Sequence, residues 1–334
     1  MSWMKEALGV IELVIFPGFL FLSWLALYFE WVDRKFYAKL QYRYGPLHTG
    51  PKGFLQPFAD FVKLLAKEDI VPAAVDRFLF TLTPIMMLAL SFYALFYIPI
   101  VPIVRDVAFG AFEGDLILVI FVLTIIGFLK FLAGWGSTNR FSAVGAVRTA
   151  FQLLGYEIPL AVALLTAAMG AGTLNISLIA QKISTDAILA SALLPALAIS
   201  VICFQAELER IPFDIPEAEQ EIVAGWLTEF SGRRLALFRF ATDVELTLAA
   251  ALMAALFLGG PYGPAIPVIP VQVSYFLWFM FKTTVLVLVL ANIRTLFARL
   301  RIDQMVHFSW RYLIVAAVAE AVFIQALLAM GVIA

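Results

Sequence analysis

The sequence predicts an all-α membrane protein of about eight transmembrane helices, with amphipathic helices in its cytoplasmic loops. Three observations carry that prediction. Of the 334 residues 63% are hydrophobic and only 14% charged, whereas a soluble domain runs at roughly 45–50% apolar and 25% charged. The apolar residues gather in runs that match the about 20 residues a helix needs to cross a bilayer. Lys and Arg alternate from loop to loop. The net charge of −1 says nothing about partners, and no nucleic-acid partner is expected.

The spans are read at 8–29, 78–104, 114–135, 150–174, 186–206, 240–259, 272–297 and 312–333, in one polytopic domain covering 1–334. The first resembles a signal peptide, but it is too long and no small-residue cleavage site follows before "YFEWVDRK". It is expected to stay attached. Loops 30–77, 136–149, 207–239 and 294–311 hold 8, 2, 4 and 4 Lys and Arg residues, against Lys5, Arg105 and Lys182 on the other side. The positive-inside rule places these four loops in the cytoplasm and both termini outside, in the cell membrane.

Several chemistries are excluded by composition. The single cysteine, Cys203, can form neither an internal disulfide nor an iron–sulfur site, which takes four thiolates. His48 and His307 lie in polar stretches, not on facing helices where haem ligands would project. No Gly-rich turn follows a strand pattern, so no nucleotide fingerprint is present. No metal ligands, bound cofactor or catalytic residues are assigned to the chain.

Acid is concentrated instead. Seven of the 24 acidic residues fall between Glu207 and Glu229. In "DIPEAEQEIVAGW", Asp214 suits a helix N-cap and Pro216 a first turn, so Glu217 and Glu221 are expected on one face of a surface helix. Glu207 and Glu209 end a span, where burial would bring carboxylates toward proton-transfer range. In the first loop Phe54, Phe58, Phe61 and Leu65 recur at helical spacing, with Asp60, Lys63 and Lys67 elsewhere on the wheel. This predicts a helix lying in the lipid headgroup boundary. Ionisable residues within spans cost a few kcal/mol each at the bilayer centre. Glu157 and Lys282 are read as a buried polar path, whereas Glu12, Asp243 and Lys130 lie near helix ends and are read as snorkelling.

Four segments carry a resemblance. They are "DRKFYAKLQYRYGPLHTGPKGFLQPFADFVKLLAKEDIVP" from Asp33 to Pro72, the stretch from "GWGSTNRF" at Gly134 to "YE" at Glu157, the stretch opening "AELERIPFDIPEAEQEIVAG" at Ala206 and closing at Gly232, and "RLRIDQ" from Arg299 to Gln304. Together they resemble the H subunit of bacterial respiratory complex I, whose mitochondrial counterpart is subunit 1. That family includes membrane subunits of archaeal complex-I-like dehydrogenases and membrane-bound hydrogenases.

The resemblance implies eight spans and a place at the heel of an L-shaped enzyme, where a redox arm meets the membrane arm that moves protons or sodium. It implies partners: iron–sulfur and NiFe-type or quinone-reductase-type subunits of the peripheral arm, other membrane-arm subunits, and lipid. The iron–sulfur clusters would sit in those partners, with a quinone-like acceptor entering a chamber built partly by this chain. The counterparts of Glu157, Glu207, Glu217 and Glu221 form a carboxylate relay, which Glu209 and Lys282 are expected to join. Arg34, Arg43, Lys63, Arg210, Asp214 and Arg299 would line or brace the chamber and redox-arm interface, together with Asp33, Asp60 and Glu229.

Departures from the family pattern are Asp33 for Glu, Ala38 for Gly, and Glu209 as an added acid. The "GPLHTGPKGFLQP" segment looks like the quinone or methanophenazine branch, yet the same heel role occurs in hydrogenases or sulfur reductases without quinone. A second class, a stand-alone secondary transporter, would use the same acids. It lacks support from internal repeats, since Pro17, Pro84, Pro159 and Pro195 interrupt spans without pairing. A third reading makes the acids a docking surface only.

Overall fold

The computed structural model describes residues 13–101, 108, 110–264, 267 and 269–333. Glu12, Lys5 and Arg105 lie outside these. The described residues form helices and turns without a strand: α1 (Phe19–Leu40), α2 (Gln56–Ala66), α3 (Arg77–Leu95), α4 (Asp115–Gly136) and α5 (Arg140–Ala171). Then come α6 (Ile176–Thr185), α7 (Ala187–Ala192), α8 (Leu194–Glu207), α9 (Gly232–Leu258), α10 (Val271–Leu296) and α11 (Ile302–Ala329). Six of them, α3, α4, α5, α9, α10 and α11, are long and apolar enough to cross a membrane. The α1 helix and the α7–α8 pair stand where the other two spans were expected.

Boundaries moved where charge was read as the end of a helix. The α1 helix runs to Leu40 rather than stopping near residue 29, because Glu30 and Arg34 pair one turn apart and Asp33 is neutralised by arginines from elsewhere. The α5 helix begins at Arg140, inside the expected loop 136–149, where Asn139 caps it by accepting from the Phe141 amide at 2.9 Å. The span expected at 186–206 is two helices. Asp186 caps the first, and Pro195, in the first turn of the second, lacks an amide to bond back to the preceding helix.

The bundle is organised around α9, which packs on α1, α3, α6 and α10. Every residue from Val244 to Phe257 is buried. A helix apolar on most sides belongs in a core, and this one carries Asp243 and Glu245 near its middle. The predicted surface helix α2 forms, but its aromatic stripe divides. Phe61 packs on Phe240 of α9 with ring centroids 5.0 Å apart, while Phe58 and Leu65 stay exposed.

The acidic loop corrects the expectation most. It holds a single helical turn, Glu219–Ile222, and a 3₁₀ turn, Gly225–Leu227, instead of an amphipathic helix from Asp214. The chain folds back at Gly225 (φ +54°), so close to Pro216 that a Cβ there would lie 1.7 Å from the Pro216 carbonyl oxygen. Trp226 is thereby driven into the core against Gly145 of α5, where an added Cβ would meet the Trp226 amide nitrogen at 2.6 Å. Burying one indole outweighs the small gain of a solvated helix.

Candidate functional site

Helical spacing places Glu30, Asp33 and Arg34 on one face of α1. The Asp33 side chain, fully buried, takes Arg210 Nη1 at 3.0 Å and Arg294 Nη1 at 3.2 Å. Arg210 also reaches Glu30 at 3.6 Å, and Arg34 bridges Glu30 and Asp60, the latter at 2.6 Å. Gln56 Nε2 donates to the other Asp60 oxygen at 2.8 Å. Asp243 of α9, half-buried, faces Glu30, Arg34 and Arg210 of the same group. Four acids and three arginines thus meet where α1, α2, α9, α10 and the acidic loop converge.

A second group lies between α4, α5, α8 and α9. Lys130 is almost wholly buried. Its Nζ stands 3.0 Å from Glu245 Oε2 and donates to the Glu207 carbonyl oxygen at 3.0 Å. From sequence, Lys130 lies near a helix end and is free to snorkel. The structure corrects this, because its partner comes from α9, far away in sequence. Trp226 Nε1 donates to Glu209 Oε2 at 2.8 Å, and the Tyr156 hydroxyl faces Glu207. Glu207 Oε1 is buried with no hydrogen-bond partner among the described residues, as are Oε1 of Gln152 and Oε1 of Gln205. Orphan acceptors of this kind are what a proton or an ordered water satisfies.

From Glu207 the row continues to Glu157. A small pocket is lined by both acids and Tyr156, with Thr124, Leu153 and Leu160 among its walls. The Thr124 hydroxyl donates directly to Glu157. Gln152 braces the turn above, its Nε2 donating to the carbonyls of Ala206 (2.8 Å) and Phe213 (2.9 Å).

In the acidic loop, burial raises the pKa of Glu217, opposed by Arg239. Burial likewise raises Asp214, against the opposing charge of Arg299, whose Nη2 stands 3.0 Å from its carboxylate. Asp214 is therefore an ion-pair partner, not a helix cap. Glu221 sits at the surface with Arg148 at 2.6 Å, a bond that lowers its pKa. Glu217 and Glu221 share no helix face.

Burial raises the Glu209 pKa to about 8, with Lys130 pulling it down and Glu217 pushing it up. The folded chain then holds a proton that the unfolded chain has released. Stability is fully present below the ordinary value of 4.5 and declines as pH rises toward about 8. Thermal unfolding measured across that window should show a slope that Glu209→Gln flattens. An unchanged slope in the variant would remove Glu209 as its source.

Of the remaining expected site residues, Glu229 accepts from Asn139 Nδ2 at the start of α5. Arg43 is exposed, bonded to Gln41 and over the Tyr37 ring, and Lys63 is exposed on α2. Lys282 is apart from the row. Its Nζ donates to the carbonyls of Leu258, Gly260 and Tyr262 at the far end of α9. Sequence reasoning missed Glu30, Lys130, Glu245 and Tyr156 as site residues, and read Asp243 as snorkelling from a helix end. The available signal was charge within apolar runs, which singles out Lys130 and Glu245 but not their pairing.

Six helices long and apolar enough to cross a membrane, packed around buried ionisable side chains, define an integral membrane protein. The family model described as NADH dehydrogenase matches residues 12–325. The chain is 37% identical over 305 residues to an H subunit, the copy numbered 2, of the NADH-quinone oxidoreductase of Syntrophobacter fumaroxidans, covering 89% of both chains. It is 36% identical over 322 residues to the H subunit of the NADH-quinone oxidoreductase of Dehalococcoides mccartyi, covering 94% of this chain and 85% of the relative. It is also 37% identical over 286 residues to subunit 8 of the Thermus thermophilus enzyme, covering 84% of this chain and 77% of that one. The chain belongs to the complex I H-subunit family.

Proposed function

We propose that this chain is the heel subunit of a complex-I-like, ion-translocating oxidoreductase in the cytoplasmic membrane, with its four charged loops facing the cytoplasm. It joins a peripheral arm of iron–sulfur and quinone-reductase-type subunits to other membrane-arm subunits. The Glu30–Asp33–Arg34–Arg210 group and the acidic loop contribute the wall of a quinone-type chamber. The acids behind it pass the consequence of electron transfer into the membrane.

One observation carries this reading. Buried Glu209, Glu245 and Glu207 cluster around Lys130 and Tyr156, with half-buried Glu217 on one side and half-buried Glu157, held by Thr124, on the other, and we read them as one row. A carboxylate's proton affinity rises beside a like charge and falls beside a cation. A change of charge at the chamber end therefore redistributes protons along the row, which titrates as a group. A docking surface alone would not need orphan acceptors at membrane depth.

Glu157→Gln and Glu207→Gln, each introduced into the assembled complex, are expected to lower ion pumping per electron transferred. Proteoliposome pumping at matched turnover measures this. Wild-type pumping in both variants would defeat the relay and leave the acids a docking role.

A further inference from the structure

Lys282 lies outside the acid row, yet its ammonium makes three hydrogen bonds. Its Nζ donates to the carbonyl oxygens of Leu258 (2.6 Å), Gly260 (3.0 Å) and Tyr262 (2.5 Å). An ammonium has three donors, and all three are used. The acceptors are the last residue of α9 and the turn that leaves it, so the cation also faces the negative end of the α9 dipole.

The turn itself is held from two sides. Gly259 and Gly260 adopt left-handed conformations (φ +73° and +52°) and press on α6, where Cβ atoms would meet Ser184 at 3.0 Å and Ala180 at 3.3 Å. On the α10 side Trp278 Nε1 donates to the Pro264 carbonyl at 2.9 Å. Lys282 lies eleven residues beyond Val271, the first residue of α10, which is about 16 Å along the helix axis. The α9 helix therefore ends well inside the depth spanned by α10. Backbone carbonyls freed at that depth need partners, because lipid offers none.

The middle of the same rod carries Glu245. Glu245 is thirteen residues before Leu258 on α9, about 20 Å along the axis. Everything between is buried. A packed helix without a break cannot slide or turn at one end while staying fixed at the other.

We propose that Lys282 is a positioning residue: it locks the outer end of α9 and thereby keeps Glu245 against Lys130. The relay reading gives this lock its use, but the lock itself rests on the geometry of α9. The groups facing Glu245 are Lys130 from α4 and, at the end of α8, Glu207 and Glu209.

The chain's one cysteine supplies the test. Cys203 is fully buried, so the temperature at which it becomes alkylated in the purified complex, quantified by mass spectrometry, reports opening of this chain. Lys282→Met should lower that temperature. Sites more than about 7–10 Å apart without shared partners normally act additively. The lock predicts otherwise: the shift caused by Lys282→Met should be clearly smaller in a Lys130→Met/Glu245→Leu background, where no pair remains to be positioned. Lys282→Arg, which keeps charge and donors, should recover part of the loss.

Equal shifts in the two backgrounds would overturn the proposal and make Lys282 a local cap. In the working enzyme, Lys282→Met should also move the pH profile of turnover, which a local cap would leave in place. Non-additive shifts with an unmoved pH profile would sustain the lock and count against the relay, which separates the failure of one from the failure of the other.

Discussion

Lys130→Met is expected to be the most damaging single substitution in this chain, costing about 3–5 kcal/mol, the range for breaking a buried ion pair from one side. Only 2% of the Lys130 side chain and 1% of the Glu245 side chain are exposed. Removing the ammonium strands a buried carboxylate that has no other ion-pair partner among the described residues, and it also frees the Glu207 carbonyl oxygen. The same physics gives the control. A buried pair replaced whole by apolar side chains of similar volume is often tolerated, because two desolvation penalties vanish with the one attraction. The double variant Lys130→Met/Glu245→Leu should therefore recover much of the stability while remaining defective in pumping. Alkylation of Cys203 against temperature measures the first, and proteoliposome pumping the second. Equal loss of stability in the single and double variants would show that the pair contributes through packing and not through charge.

Arg210→Met should follow, at about 1.5–3 kcal/mol, the range for a hydrogen bond to a charged group. Arg210 is the residue of the acidic loop that binds both Asp33 and Glu30. Its loss leaves Asp33 with Arg294 alone among the described residues, and Arg294 comes from the more exposed end of α10. Glu30 keeps Arg34, so the group should loosen without emptying. Arg210→Lys should rescue poorly, since a compact ammonium cannot present the planar fork that spans two carboxylates. The readout is thermal stability, together with the apparent affinity of the assembled complex for a quinone-type acceptor. Full rescue by lysine would mean that charge alone, without the geometry of the fork, holds the group.

These two predictions concern residues that stand differently in the amino-acid sequence. Arg210 was legible because it lies in a dense motif, "AELERIPFDIPEAE", beside acids that composition already marks as unusual. Lys130 sits alone in an apolar run, where its cost is visible but its compensation is not. The partner, Glu245, is on α9, and nothing in the local pattern of either segment names the other. The same limit explains the acidic loop. Asp214, Pro216 and the spacing of Glu217 and Glu221 satisfy every local rule for a helix start. The burial of Trp226, with its indole donating to Glu209, settled the loop in another shape.

Residue order is enough to set the class of the protein. The apolar runs, the asymmetry of Lys and Arg and the crowding of acid are local or additive properties, and the free energy of placing a segment in lipid is close to a sum over its residues. That Glu157 and Glu207 belong to one relay is what the family resemblance implies, with Glu209 expected to join it. Which charges are paired is decided by folding: Asp33 with Arg210 and Arg294, Lys130 with Glu245, and Lys282 with the carbonyls that end α9. Pairing depends on which helix faces meet, and Coulomb attraction in a dry interior grows steeply as separation shrinks to contact. A segment's own composition sets whether it enters the membrane. Only packing brings two distant charges together.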